Sequence, residues 1–350
     1  MHMADALISP IVGGSMFAVT AGVAAYSVKK VQLEFDEKLE LNERKIPLMG
    51  VMGAFVFAAQ MINFTIPGTG SSGHIGGGIL LAALLGPYAG FLTISCILII
   101  QALFFADGGL LALGCNIFNM GFYACFIAYN LIYKKILKNE VSKKKIFIAS
   151  LLSVVIGLQL GAFSVVLETV FSGKTELPFS TFVLLMQPIH LAIGIIEGLI
   201  TATVISFVWN ARPEILEPIK SNQTHNNVSY KKVIAILLCA TVLIGGVVSL
   251  FASSNPDGLE WSIEKITSST EVEETGAFNE FIGNIQEKIA FLPDYGFKNN
   301  SNEEIESNIA VNAGTSVSGI IGSILTAILA ILIGVAANAY MKHKKSVNQN

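Results

Sequence analysis

Charge is what this chain has least of: Asp, Glu, Lys and Arg make up 13% of its 350 residues, where an ordinary soluble domain carries roughly 25%. Beside a hydrophobic fraction of 53%, so few charges cannot coat a globule of this size, which excludes a soluble or disordered chain. With 22 basic against 25 acidic side chains there is no cationic surplus, and no nucleic-acid partner is expected. Cysteine is almost as scarce. Cys96, Cys115, Cys125 and Cys239 all fall in apolar runs, so they read as small buried side chains and not as a disulfide framework or a thiolate metal cluster. Catalytic signatures are missing too: there is neither a His-Glu-x-x-His pattern nor a serine nucleophile elbow. Ser172-Gly173-Lys174-Thr175 imitates the end of a phosphate-binding loop, but Glu168 stands where the first glycine must be, so no nucleotide hydrolysis is expected of this chain.

What is present is membrane. Apolar stretches of about 20 residues predict spans near 7–28, 46–64, 87–106, 109–133, 146–171, 181–209, 231–252 and 315–341, with a short helix over 75–86 set off by Gly86-Pro87. The expected fold is an all-α polytopic helical bundle. Its organisation divides into a membrane unit over 1–210, a cytoplasmic linker over 211–230 and a two-span unit over 231–350, whose segment 253–314 lies outside the membrane. That segment holds 12 acidic residues and three lysines. With the spans alternating and the amino terminus outside, 18 of the 22 Lys and Arg fall on the cytoplasmic side; the reverse would place them outside, so the amino terminus is expected out and the carboxyl terminus in. No cleaved leader is expected, because the cations follow the first span.

Polar residues in an apolar bundle need partners or a cavity. Met1 and His2 place an amine, a peptide nitrogen and an imidazole in consecutive chelating positions, a flat nitrogen set suited to Ni2+, Cu2+ or Co2+; the bulky second residue is expected to preserve Met1. Downstream, Asn63 and Thr65 precede a glycine-rich turn over 67–73, which would hold His74 at the start of the short helix near the outer mouth. His74 either completes a four-nitrogen plane with Met1 and His2 or hydrogen-bonds locally. Gln101, Asp107, Asn116 and Asn119 follow. The spacing of Asn116 and Asn119 puts both amides on one helix face, fit either to hold a folded-back backbone and orient an imidazole or to join packed spans. His190 and Glu197 share a face two turns apart, as outer support for a metal or as a structural pair. Gly50, Ala54 and Ala58 form a small-residue ridge, as do Ala21 and Ala25, where a partner helix or another span of the same chain could approach closely.

The stretch Met1-His2-Met3-Ala4-Asp5-Ala6-Leu7-Ile8-Ser9-Pro10, the His74 loop and the Asn116/Asn119 region resemble the nickel/cobalt substrate-capture component (S component) of energy-coupling factor (ECF) transporters, over roughly 1–210. Pro256-Asp257-Gly258-Leu259-Glu260-Trp261 and Leu292-Pro293-Asp294-Tyr295-Gly296 resemble the small two-span accessory component of the same systems. The resemblance implies a fusion of the two. It implies an extra first helix, an amino terminus that enters the bundle centre, and a transported Ni2+ or Co2+ held by the Met1 amine, the amide and imidazole of His2, and His74, with no prosthetic group. Implied partners, besides the lipid bilayer, are a transmembrane coupling subunit and two cytoplasmic ATPases on other chains. The alternatives are a secondary metal transporter using Glu168 and Glu197 as carriers, or a membrane scaffold that recruits a partner through its acidic segment.

Overall fold

The computed structural model describes the chain except residues 38, 217–227, 271, 273–275, 299–307 and 349–350. Most of the expected linker over 211–230 therefore lies outside the described residues. The helices are α1 (Pro10–Glu37), α2 (Leu39–Gln60), α3 (Gly78–Leu85), α4 (Pro87–Phe105), α5 (Leu113–Leu137), α6 (Lys143–Ser172), α7 (Phe179–Ala211), α8 (Tyr230–Gly246), α9 (Gly258–Thr267), α10 (Ala277–Ile289) and α11 (Asn308–Asn348). The fold is the all-α membrane bundle the hydropathy demands. Large side chains on its outer surface are apolar, among them Ile11, Phe171, Leu184 and Phe251, as hydrocarbon solvent requires.

Local chemistry sets the element ends. Gly86 adopts φ 82°, and Pro87 opens α4 without a missing hydrogen bond because the first turn has none to lose. The hydroxyl of Ser142 accepts from the Lys145 amide at the start of α6, and Gly173 closes it in the left-handed region. Over Phe118–Tyr133, α5 is wound as a π-helix. The short α3 is buried at every position, so it is a core element wrapped by its neighbours.

Three features differ from the hydropathy reading. The glycine-rich turn is the tip of a hairpin in which β1 (Phe64–Ile66) pairs antiparallel with β2 (Ser71–Gly73), Thr65 opposite Ser72. His74 lies between β2 and α3, not at a helix start, because Gly76 and the left-handed Gly77 delay the helix until Gly78. The acidic segment is not merely solvated: it contributes α9 and α10, both amphipathic, and docks on the hairpin. Ser72 donates through its amide to the Pro256 carbonyl (2.8 Å) and through its hydroxyl to Asn255 (2.7 Å), and the Trp261 indole donates to Thr69 (2.9 Å).

The ridge of Gly50, Ala54 and Ala58 is occupied by this chain's own carboxyl-terminal unit. A methyl on Gly50 would meet Ile331 at 2.6 Å, the Ser323 hydroxyl donates to the Ala54 carbonyl, and Ala58 faces Gly245. Small residues are needed there because α2 lies against α8 and α11, so the ridge is not open to a separate partner. Ala21 and Ala25, by contrast, are exposed.

Candidate metal centre

At the bundle end that carries the hairpin, the first eight residues run inward instead of outward. Asn116 clamps Met3 on both sides of its backbone: its side-chain oxygen accepts from the Met3 amide (2.8 Å) and its side-chain nitrogen donates to the Met3 carbonyl (3.1 Å). The Gly109 amide donates to the same carbonyl. Asp5 accepts from the Ala112 amide (2.9 Å), while Asn279 of α10 donates to the carbonyls of Asp5 and Ile8. A side chain at Gly109 would collide with Asp5 at 1.8 Å. The tail is thus threaded through a slot that only glycine leaves open, and polar groups satisfy its backbone where no water can.

This threading sets His2 against His74, the two rings stacked with centroids 5.2 Å apart and planes 14° from parallel. The Met1 amine donates to Oδ2 of Asp257 at 2.8 Å, and Nδ1 of His2 lies 3.1 Å from Oδ1 of Asp107. His74 donates from Nδ1 to the Ile75 carbonyl (3.0 Å), which leaves Nε2 with its lone pair. Asp257 also accepts from the amides of Leu259 and Glu260, capping α9, and Tyr295 donates to Asp107. A polar cavity of about 520 Å3 opens over the site, with His2, His74, Asp107, Asp257, Glu260 and Asn63 in its wall.

Burial, followed by the neighbouring α-amine, lowers the His2 imidazole to about 3. Burial, the amine and His2 lower His74 to about 4. Both rings are therefore neutral near pH 7 and offer lone pairs. Burial raises Asp107. It also acts to raise Asp257, but the Met1 ammonium, the Glu260 amide and His74 outweigh it and hold that carboxyl well below the usual range. Glu260 is pushed up to about 7, by burial and then by Asp257.

Among the other residues expected here, Gln101 donates to Gln60, which donates to the Gly76 carbonyl, so the pair braces the loop after His74. Asn119 donates to Glu168 (2.6 Å) and lies against the Met3 sulfur. Thr65 is exposed and bonds Ser253, away from the rings. Sequence reasoning assigned no role to Asp257 and left Asp107 unassigned, although these two carboxylates face the amine and the imidazole. Among the described residues, no three His, Cys, Asp or Glu side chains are arranged to hold a metal; an ion here would have to draw on main-chain nitrogen as well.

A helical membrane bundle with a buried amino terminus against two neutral imidazoles defines a membrane protein with a potential nitrogen-donor site. Residues 2–215 match the family model described as cobalt uptake substrate-specific transmembrane region, and residues 231–339 match the PDGLE domain. The chain belongs to the cobalt uptake substrate-specific transmembrane family and carries a fused PDGLE domain. It is 29% identical over 359 residues to a probable fused nickel transport protein of Lactiplantibacillus plantarum, covering 100% of both chains. It is 32% identical over 235 residues to the fused nickel transport protein of Rhodobacter capsulatus, covering 62% of this chain and 64% of that one. A crystal structure of a truncated transition metal transporter aligns with a TM-score of 0.51 at 32% identity, over 59% of this chain and 98% of that chain.

Proposed function

We propose that the chain is the substrate-specificity subunit of an ATP-dependent importer of the energy-coupling factor type, and that its cargo is Ni2+, with Co2+ as the second candidate. The ion is held by four nitrogens: the Met1 amine, the amide and Nδ1 of His2, and Nε2 of His74. The observation that carries this reading is the inward threading of the amino terminus, which stacks His2 on His74. Amine, peptide nitrogen and imidazole in succession close fused chelate rings, and a planar nitrogen set suits low-spin Ni2+. The names of the fused nickel relatives support the same cargo.

Metal capture exchanges two contacts. The amine leaves Asp257 and Nδ1 of His2 leaves Asp107, while both carboxylates stay beside the ion to balance its charge. The metal end faces outside, a placement supported by the lysines gathered at the other end of the bundle. On this reading, residues 1–210 capture the ion, 211–230 link, and 231–350 form the accessory unit, an arrangement the two family matches support. A transmembrane coupling subunit and two cytoplasmic ATPases on separate chains supply the power stroke. The test is calorimetry on protein with a native amino terminus: one residue added before Met1, or His2→Ala, abolishes high-affinity Ni2+ binding. Undiminished binding by either variant rejects the site.

A further inference from the structure

One histidine near the centre has a role in neither the chelate nor its supports. His190, on α7, is 1% exposed, and its Nδ1 donates to the Met186 carbonyl one turn back at 2.8 Å. A ring whose proton sits on Nδ1 presents a lone pair at Nε2. That Nε2 is buried without a hydrogen-bond partner, an unfavourable state for a polar atom in an apolar bundle. It does not abut packed hydrocarbon alone. His190, Met1 and His74 share the wall of a cavity of about 20 Å3, room for one particle the size of a water molecule.

Gly258 of α9 forms another part of that wall. A methyl group there would stand 3.0 Å from Cε1 and 3.2 Å from Nε2 of His190. The missing side chain leaves the Cε1–Nε2 edge of the imidazole clear at this point of the accessory unit. Two independent features thus converge: a donor nitrogen with nothing bound to it, and a glycine that leaves its approach clear.

We propose that His190 supplies a fifth nitrogen to the transported ion from the cavity it shares with Met1 and His74, and that this donor raises the affinity of the site for Co2+ relative to Ni2+. The proposal rests on the four-nitrogen reading above. Low-spin Ni2+ in a nitrogen plane gains little from a further ligand, whereas Co2+ more often takes one. His190 would therefore act on selectivity more than on capture itself.

The test is separate titration of the full chain, native at its amino terminus, with Ni2+ and with Co2+. His190→Ala is expected to weaken Co2+ binding by about tenfold or more while Ni2+ binding stays within about threefold. Gly258→Ala, which obstructs Nε2 with the histidine still in place, should shift selectivity the same way. Free imidazole should restore Co2+ binding to His190→Ala, and the electron paramagnetic resonance spectrum of bound Co2+ should lose the splitting due to the fifth nitrogen in that variant, the four others remaining. Equal losses for both ions without imidazole rescue would assign His190 to packing and overturn the proposal, as would unchanged Co2+ affinity. Ni2+ binding that does not depend on His2 overturns the underlying four-nitrogen reading; binding that depends on His2 but ignores His190 overturns this inference alone.

Discussion

Acidification is the sharpest probe of the proposed site, because the structure dictates which protons compete with the metal. Burial and the adjacent amine hold His2 at about 3 and His74 at about 4, so between pH ~6 and ~7 neither ring carries a proton to give up. The Met1 ammonium, paired with Asp257, must lose one, and the His2 amide must lose another to become a ligand. About two protons therefore leave the ligands for each ion bound, and Glu260, held at about 7 in the cavity wall, can add a fraction of one more. Because protons are products, binding tightens as pH rises and weakens as it falls, by about two decades per pH unit, or ~2.7 kcal/mol. Below the imidazole values the rings protonate as well and the dependence steepens. Asp257 should take up no proton, since the charge of the ion replaces that of the ammonium beside it. Calorimetry of Ni2+ binding in buffers of different ionisation enthalpy reads the proton count directly, and affinity at two pH values reads the slope. Release of no proton would show that the amine and amide are not ligands. Release of about four near pH 6 would show that the two rings are not the desolvated, neutral groups described here.

Two further outcomes follow from contacts away from the ion. Asn116→Ala removes its two hydrogen bonds to Met3 and leaves only that of the Gly109 amide; at ~1 kcal/mol each, Ni2+ affinity should fall by about thirtyfold, and calorimetry that finds wild-type affinity would show that the clamp does not position the tail. Gly319→Val forces a side chain against the Gly245 carbonyl, which a β-carbon at 319 would approach to 2.4 Å; overpacking should destabilise the α8–α11 contact by about 1–3 kcal/mol, seen as a lower unfolding midpoint in detergent, and an unchanged midpoint would refute that close packing.

What could be read from the residues alone was whatever has a local signature. Apolar runs foretold seven of the eight spans as helices long and apolar enough to cross a membrane; among the described residues α2, expected over 46–64, is not one of them, its first turns carrying Glu40, Glu43, Arg44 and Lys45. Gly86-Pro87 marked a true break because both residues act on their own backbone. Likewise Met1 and His2 are adjacent, so their chelating order is visible without a fold. The small residues at Gly50, Ala54 and Ala58 announced a close helix contact, yet size says nothing about which helix arrives, and here it is the chain's own α11 with α8 beside it. The hairpin stayed hidden since three-residue strands are too short for a period, and the segment that its Ser72 bonds, around Pro256, is far away in sequence. Asp257 was the hardest to see. In sequence it stands in the 256–261 stretch that carries the accessory-component resemblance, yet as one of 12 acids between 253 and 314 it has nothing that ties it to Met1. Its distinction comes from a partner 256 residues away, the Met1 amine, and that pairing exists only because Asn116, Gly109 and Asn279 draw the tail inward while Ser72 and Trp261 bring α9 to meet it. The carboxylate nearest the proposed metal ligand is thus a product of two separate docking events, and a change that undoes either should release the amine from Asp257 even with both residues intact.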